Sequence, residues 1–182
     1  MLELALHILD IAENSTRAGA RHVEIILTED PERDLLSLEI NDDGAGMSEA
    51  ELAKALDPFY TTKKVRRVGL GLPMLSQAAE RAGGALTITS APGKGTRLKV
   101  TFGLGHLDRQ PLGDVAGALT TLIAGNPGVD FSYRHRCPHG VFELDTAALK
   151  EELDDVPINH VEVLKIIRRN INEGLQEIAS AA

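Results

Sequence analysis

The sequence predicts an α/β (α+β) two-layer sandwich, in which helices cover one face of a mixed sheet and a C-terminal helix and hairpin segment is added. The first observation is an apolar run at 2–18 that contains no Gly or Pro and is typical of a buried helix. The second is a pair of Val-, Ile- and Leu-rich runs at 22–28 and 34–41, joined by a charged turn. The composition, 43% apolar and 25% charged residues over 182 positions, is that of a globular chain.

Turn and capping signals predict the other elements of the first half. Ser48 with Glu51 three residues later is a capping box, so a short helix begins there and ends before Pro58. Glycines at 69 and 71 open a helix that runs to about residue 82. Strands at about 85–90 and 96–102 flank the glycine turn at 93–95 and complete the sheet.

The sequence pattern changes after Gly105. We therefore divide the chain into a domain at 1–104 and a segment at 105–182, whose role is packing, dimerisation or partner binding. The segment is predicted to contain a helix at 113–124, a hairpin at 129–144, and helices at 146–153 and 159–179, the last opened by a capping box of Asn159 and Glu162. The last helix carries an apolar stripe, which predicts intramolecular packing or, as the alternative, a homodimer surface.

Charge, hydropathy and cysteine content exclude several classes of protein. The formal charge of −8 argues against a nucleic-acid partner. No apolar run of about 18 residues is present, and residues 1–20 lack a basic start, so neither membrane insertion nor a signal peptide is expected. Cys137, the one cysteine, cannot form an internal disulfide. These observations predict a cytoplasmic location.

Histidine and cysteine alternate at the tip of the predicted hairpin. His135, Cys137 and His139 could suggest metal binding, but Pro138 lies between the last two and no second pair stands at zinc-site spacing. A polar hairpin tip is therefore the favoured interpretation.

Asp10 and Asn14 are the first candidates for chemistry. They are spaced i, i+4, so both lie on one face of the apolar first helix. A carboxylate and an amide there could hold a hydrated Mg²⁺ and orient a nucleophile, because Mg²⁺ takes few protein ligands and keeps water and phosphate oxygens. The alternative, the polar edge of an amphipathic helix, remains open on this evidence alone.

Glycine-rich segments supply the other candidates. Asp42, with Gly44 and Gly46, ends a strand where a carboxylate can accept from an exocyclic amine and glycines allow close approach. Gly69–Gly71 at a helix start can meet phosphates, with the basic loop before it nearby. Each segment alone is equally consistent with an ordinary turn, hinge or solvated loop.

The order and spacing of these segments resemble the GHKL ATPase superfamily, and its histidine-kinase branch in particular, over residues 1–103. Five segments carry the resemblance: Asp10–Ser15 (N box), Asp42–Met47 (G1 box), Asp57–Lys63 (F box), Gly69–Leu72 (G2 box) and Gly93–Thr96 (last glycine box). The resemblance implies a Bergerat-type fold that binds ATP and Mg²⁺.

The same resemblance implies a role for each matched residue. Asn14 is the expected Mg²⁺ ligand, Asp42 contacts the adenine amino group, and Asp10 is the expected catalytic base. The remaining nucleotide-binding positions are the purine-pocket glycines Gly44 and Gly46, the phosphate-binding Lys63 or Lys64 with the amides of Gly69, Leu70 and Gly71, and Thr96 near the adenine.

The expected function is that of a stand-alone kinase domain that passes phosphate to a separate partner protein. The chain begins directly on the N-box helix, so no dimerisation domain with a phosphoacceptor histidine is expected before it, and His7 on that helix is expected to be a packing residue. Two alternatives stay open: a nucleotide-dependent module that sequesters a partner as anti-sigma factors do, and an ATPase.

Overall fold

The protein is described by a computed structural model over residues 3–55 and 71–178. The helices are α1 (Leu4–Arg17), α2 (Glu49–Ala55), α3 (Gly71–Arg81), α4 (Val115–Gly125), α5 (Thr146–Glu152) and α6 (Val161–Glu177). The strands are β1 (His22–Asp30), β2 (Leu35–Asp42), β3 (Leu86–Ser90), β4 (Thr96–Gly103), β5 (Asp130–Cys137) and β6 (Gly140–Asp145).

All six strands form one mixed sheet in the order β3-β4-β2-β1-β5-β6. The β1–β5 pair is parallel, and the four other pairs are antiparallel. α1 packs across β1 and β2, whereas α3 packs on β3 and β4. The predicted sandwich of a mixed sheet and helices is therefore confirmed.

One face of the sheet forms the core. Along β1 every second residue is buried, and the neighbouring strands continue the pattern, as period-2 alternation requires. Leu4, Ile8 and Ile11 of α1 are buried with those strand residues. The opposite face carries charged pairs between neighbouring strands, such as Lys99 with Glu39 at 2.7 Å. The first helix is thus held by apolar contacts that fix which of its sides faces the site.

The C-terminal half extends the same sheet. β5 pairs with β1 from His22↔Asp130 to Thr28↔Arg136, and β6 continues as the edge strand. α4 lies between α1 and α6, so the second half also packs against the helix that carries Asp10 and Asn14. The predicted hairpin turn is confirmed, because β5 ends at Cys137 and β6 begins at Gly140.

The apolar stripe of α6 packs within the chain. Ile167 and Ile171 are buried in the shared core, and so is Ile178 just after the helix. Val161 and Ile166 on the same helix stay exposed. The homodimer surface remains a prediction. In the described ranges, no helix combines the length and the apolarity needed to cross a membrane.

Two helix starts test the capping predictions. At α2 the capping box is confirmed, because the Glu51 carboxylate accepts from the Ser48 amide at 2.8 Å and the Glu51 amide donates to Ser48 Oγ. At α6 the predicted box of Asn159 and Glu162 is wrong. The N-cap is His160, whose Nδ1 accepts from the Glu162 amide at 3.3 Å, so an imidazole replaces the expected amide.

The expectation of a polar hairpin tip is wrong for His135. This side chain is fully buried on β5, where the pattern of alternation points it into the core. Its Nε2 lies 2.7 Å from Glu29 Oε1 on β1, and its Nδ1 lies 3.0 Å from the Tyr133 hydroxyl. Burial, together with the charge of Glu29, raises the pKa of Tyr133. Glu29, Tyr133 and His135 thus form a buried polar cluster that joins the two halves of the sheet.

We expect His135→Ala to lower the free energy of unfolding by about 3–5 kcal/mol, because it leaves the buried Glu29 without its imidazole partner. Ser132→Ala on the same strand is the matched control, and a change within about 0.5 kcal/mol is expected there because Ser132 is only half-buried. Urea unfolding of the three chains measures both values. A His135→Ala loss below about 1 kcal/mol would contradict this role for the cluster.

Candidate nucleotide-binding site

A cavity of about 370 Å³ opens between α1, the loop after β2, and the start of α3. Its size is within the range of small-molecule sites. Six of the predicted site residues line it: Asp10, Asn14, Asp42, Gly46, Gly71 and Thr96. Most of the remaining lining is apolar and comes from Ile11, Ile40, Met47, Leu72, Ile88 and Leu98. An apolar wall with few polar groups suits a flat heteroaromatic base.

Asp42 is the most firmly held polar group of the cavity. Its Oδ1 accepts from the amides of Gly44 at 2.9 Å and Thr96 at 3.2 Å. Its Oδ2 accepts from the Ser15 hydroxyl at 2.7 Å. An ionised carboxylate has about four acceptor positions and no donor, so one position on Oδ2 stays available to a ligand N–H. This geometry fits the adenine amino group that the resemblance assigns to Asp42.

The predicted purine-pocket glycines occupy crowded backbone positions. Gly46 has φ +66°, and a Cβ there would collide with the Ala91 carbonyl oxygen. Gly44 does not line the cavity; it is buried, a Cβ there would lie only 3.1 Å from the Ala18 carbonyl oxygen, and its amide donates to Asp42 Oδ1. The two glycines therefore let the turn pack against its neighbours, and only Gly46 faces the ligand space.

Asp43 anchors the same turn to the start of β1. Its Oδ1 accepts from the amides of Arg21 at 2.7 Å and His22 at 2.9 Å. The hydrogen bond from the His22 amide holds the pKa of the Asp43 carboxyl below its usual value. Of the two adjacent aspartates, Asp42 therefore serves the cavity and Asp43 serves the fold.

Asp10 and Asn14 lie one helical turn apart and both reach the cavity, as their spacing predicted. Asp10 also contacts the first residue of α3: a Cβ on Gly71 would collide with Asp10 Oδ2. Glycine at 71 thus leaves room for the carboxylate between α1 and α3. Asp10, the expected catalytic base, therefore faces the ligand space although its side chain is short.

Arg17 is a cavity residue that the sequence reasoning missed. Its Nη1 donates to Asn14 Oδ1 at 3.3 Å, and its Nη2 pairs with Glu13 Oε2 at 2.5 Å. The signal available in the sequence was its i, i+3 spacing from Asn14. Ser15 was also missed as a separate contributor, although it lies in the matched N box.

The donor set fits a magnesium ion that is held mainly by phosphate and water. Asn14 lines the cavity, and its amide oxygen, which accepts from Arg17 Nη1 at 3.3 Å, has a second acceptor position. Across residues 3–55 and 71–178, no group of three or more His, Cys, Asp or Glu side chains is placed to hold a metal. Mg²⁺ is commonly bound by one or two protein oxygens in addition to substrate phosphates. The predicted phosphate-binding positions Lys63, Lys64, Gly69 and Leu70 lie outside the described residues.

Comparison with known families identifies the protein family to which the chain belongs. The family described as "Histidine kinase-, DNA gyrase B-, and HSP90-like ATPase" matches residues 2–106. The chain belongs to this family, which confirms the GHKL resemblance and implies ATP binding. The crystal structure of the N-terminal domain of a DNA repair protein superposes with a TM-score of 0.54 at 18% identity, covering 80% of this chain and 52% of that one. This last similarity concerns the fold alone.

Several similar proteins are sensor or sporulation kinases. Sensor kinase CckA of Brucella abortus is 39% identical over 71 residues, which cover 38% of this chain and 8% of the relative. Sporulation kinase E of Bacillus subtilis is 37% identical over 71 residues, 39% of this chain and 10% of the relative. The Non-motile and phage-resistance protein of Caulobacter vibrioides is 30% identical over 122 residues, which cover 64% of this chain and 14% of the relative. The chain therefore matches only a small part of these relatives' length.

We expect Asn14→Ala to remove most of the Mg²⁺-dependent gain in ATP affinity, a loss of about tenfold or more, because the substitution deletes the one amide oxygen offered to the ion. ADP affinity measured in EDTA should stay within about twofold of the parent value. Calorimetric titrations with and without Mg²⁺ measure both affinities. Thr16→Ala is the control, since the Thr16 hydroxyl donates to the Glu13 backbone on the same helix. Equal losses in the two buffers would contradict the assignment.

Proposed function

We propose that this chain binds ATP with Mg²⁺ in the cavity and transfers the γ-phosphate to a separate protein in a signalling pathway. The observation that carries the proposal is that one cavity is lined by two carboxylates and an amide, those of Asp42, Asp10 and Asn14. Membership of the histidine-kinase-like family supports it, and so do the sensor and sporulation kinases among the similar proteins.

Each residue has a defined task in this proposal. Asp42 binds the adenine ring of ATP, and the apolar wall of the cavity excludes water from that ring. Asn14 contributes one ligand to Mg²⁺, which when bound neutralises charge on the phosphates. If the acceptor is a hydroxyl, Asp10 takes its proton while the acceptor oxygen bonds to the γ-phosphorus and the bond to the β-phosphate oxygen breaks, which releases ADP.

The positions of the histidines support a separate acceptor. All six lie within the described parts of the chain, and none lines the cavity. His7, on the same helix as Asp10, is only 1% exposed, and burial lowers its pKa. In-line transfer needs the acceptor atom within roughly 3–3.5 Å of the phosphorus, which the buried His7 and His135 do not allow.

Labelling with [γ-³²P]ATP tests the proposal. In an extract of the source cells, the parent chain should place label on a second protein, and Asp10→Asn should reduce the initial rate at least about tenfold if the label is on a hydroxyl. Thr16→Ala should label at the parent rate, because the Thr16 hydroxyl donates to the Glu13 backbone carbonyl and Thr16 is not among the residues that line the cavity.

The other outcomes each contradict the proposal in a recognisable way. Acid-labile label on a histidine of this chain, at near one per chain, would make it a self-phosphorylating kinase. Steady phosphate release without an acceptor would make it an ATPase. ATP-dependent binding of a partner without any labelling would make it a sequestering module.

A further inference from the structure

We infer that Ser15 is a specificity-determining residue of the nucleotide site, which positions the Asp42 carboxylate so that the site accepts 6-amino purines and discriminates against 6-oxo purines. The inference rests on the proposed use of the cavity for ATP. Its evidence is the hydrogen bond between two side chains that come from different elements, α1 and the end of β2.

Ser15 is placed by the packing of α1 rather than by the cavity. It belongs to the buried side of the helix, with Ile8, Ile11 and Ala12, and is 5% exposed. Asn14 and Asp10 occupy the adjoining, half-buried side. Because Ile8 and Ile11 fix the rotation of α1 about its axis, Ser15 is held where it reaches Asp42 and also lines the cavity.

The hydroxyl has one proton and two acceptors within reach. Asp42 Oδ2 lies 2.7 Å from Oγ, whereas the Ile11 carbonyl oxygen lies 3.3 Å away. The bond to the carboxylate is the shorter one and is assisted by charge, so the proton points to Asp42. Ser15 therefore occupies one of the two acceptor positions on Asp42 Oδ2, and the other position remains for a ligand.

The consequence is a carboxylate with three fixed donors and one outward acceptor position. The amides of Gly44 and Thr96 hold Oδ1, and Ser15 holds Oδ2, so rotation of the carboxylate would break hydrogen bonds. A ligand N–H satisfies the remaining position. A purine carbonyl oxygen there places two acceptors against each other, which is a strong source of rejection in a largely apolar cavity. Without Ser15 only the two amide hydrogen bonds to Oδ1 restrain the carboxylate, Oδ2 loses its donor, and the rejection weakens.

Binding of ADP and IDP in EDTA isolates this effect, because the two nucleotides differ only at the 6-position and the adjoining N1 of the purine, and no metal takes part. We expect Ser15→Ala to weaken ADP binding about five- to tenfold and to change IDP binding less than about twofold, so that the ADP:IDP preference narrows by at least about 2.5-fold. Thr16→Ala, which removes the neighbouring hydroxyl, should leave both affinities and their ratio at the parent values.

The melting temperature of Ser15→Ala shows separately whether the substitution affects folding. Alanine is the best helix former, so Ser15→Ala should keep the parent melting temperature within a few degrees. An unchanged ADP:IDP ratio in a folded Ser15→Ala variant, whether both affinities fall or neither does, would overturn the inference while leaving the proposed function intact. Failure of the parent chain to bind ADP at all would instead overturn the proposed function.

Discussion

The fixed Asp42 carboxylate is the interaction on which the site depends. It lies where β2 ends, and its three donors come from three different places: α1, the glycine turn and the start of β4. A single side chain therefore joins the helix that carries Asp10 and Asn14 to the strand that carries Thr96. Since an ionised carboxylate can only accept hydrogen bonds, the donors around it determine which ligand atom completes it.

The second half of the chain supports the site through the sheet and the helix layer. β5 extends the sheet along β1, and α4 packs against α1. The buried cluster of Glu29, Tyr133 and His135 links β1 to β5 at the end of β1 that is distant from Asp42. The segment thus contributes to the core against which α1 packs.

Sequence reasoning predicted the fold and six of the residues that line the cavity, because both depend on local signals. Alternating apolar residues located the strands, and the i, i+4 pair on α1 reached the cavity as expected. The two errors have different physical causes: one concerns a contact made over a long distance in sequence, and the other a choice between neighbouring capping residues. His135 was predicted to lie in a polar hairpin tip, because its partner Glu29 is 106 positions away in the sequence. The N-cap of α6 is His160 and not Asn159, because the His160 Nδ1 accepts from the Glu162 amide.

The most direct test of the account is the affinity of Asp42→Asn for ADP, with Asp43→Asn as the matched control. The amide removes the charge and one acceptor from the cavity, so ADP binding should fall at least about tenfold by calorimetry. The control alters a carboxylate that accepts from backbone amides outside the cavity, so folded Asp43→Asn should bind ADP as the parent does. Parent-like ADP affinity in Asp42→Asn would contradict the account, because the adenine would then be recognised elsewhere.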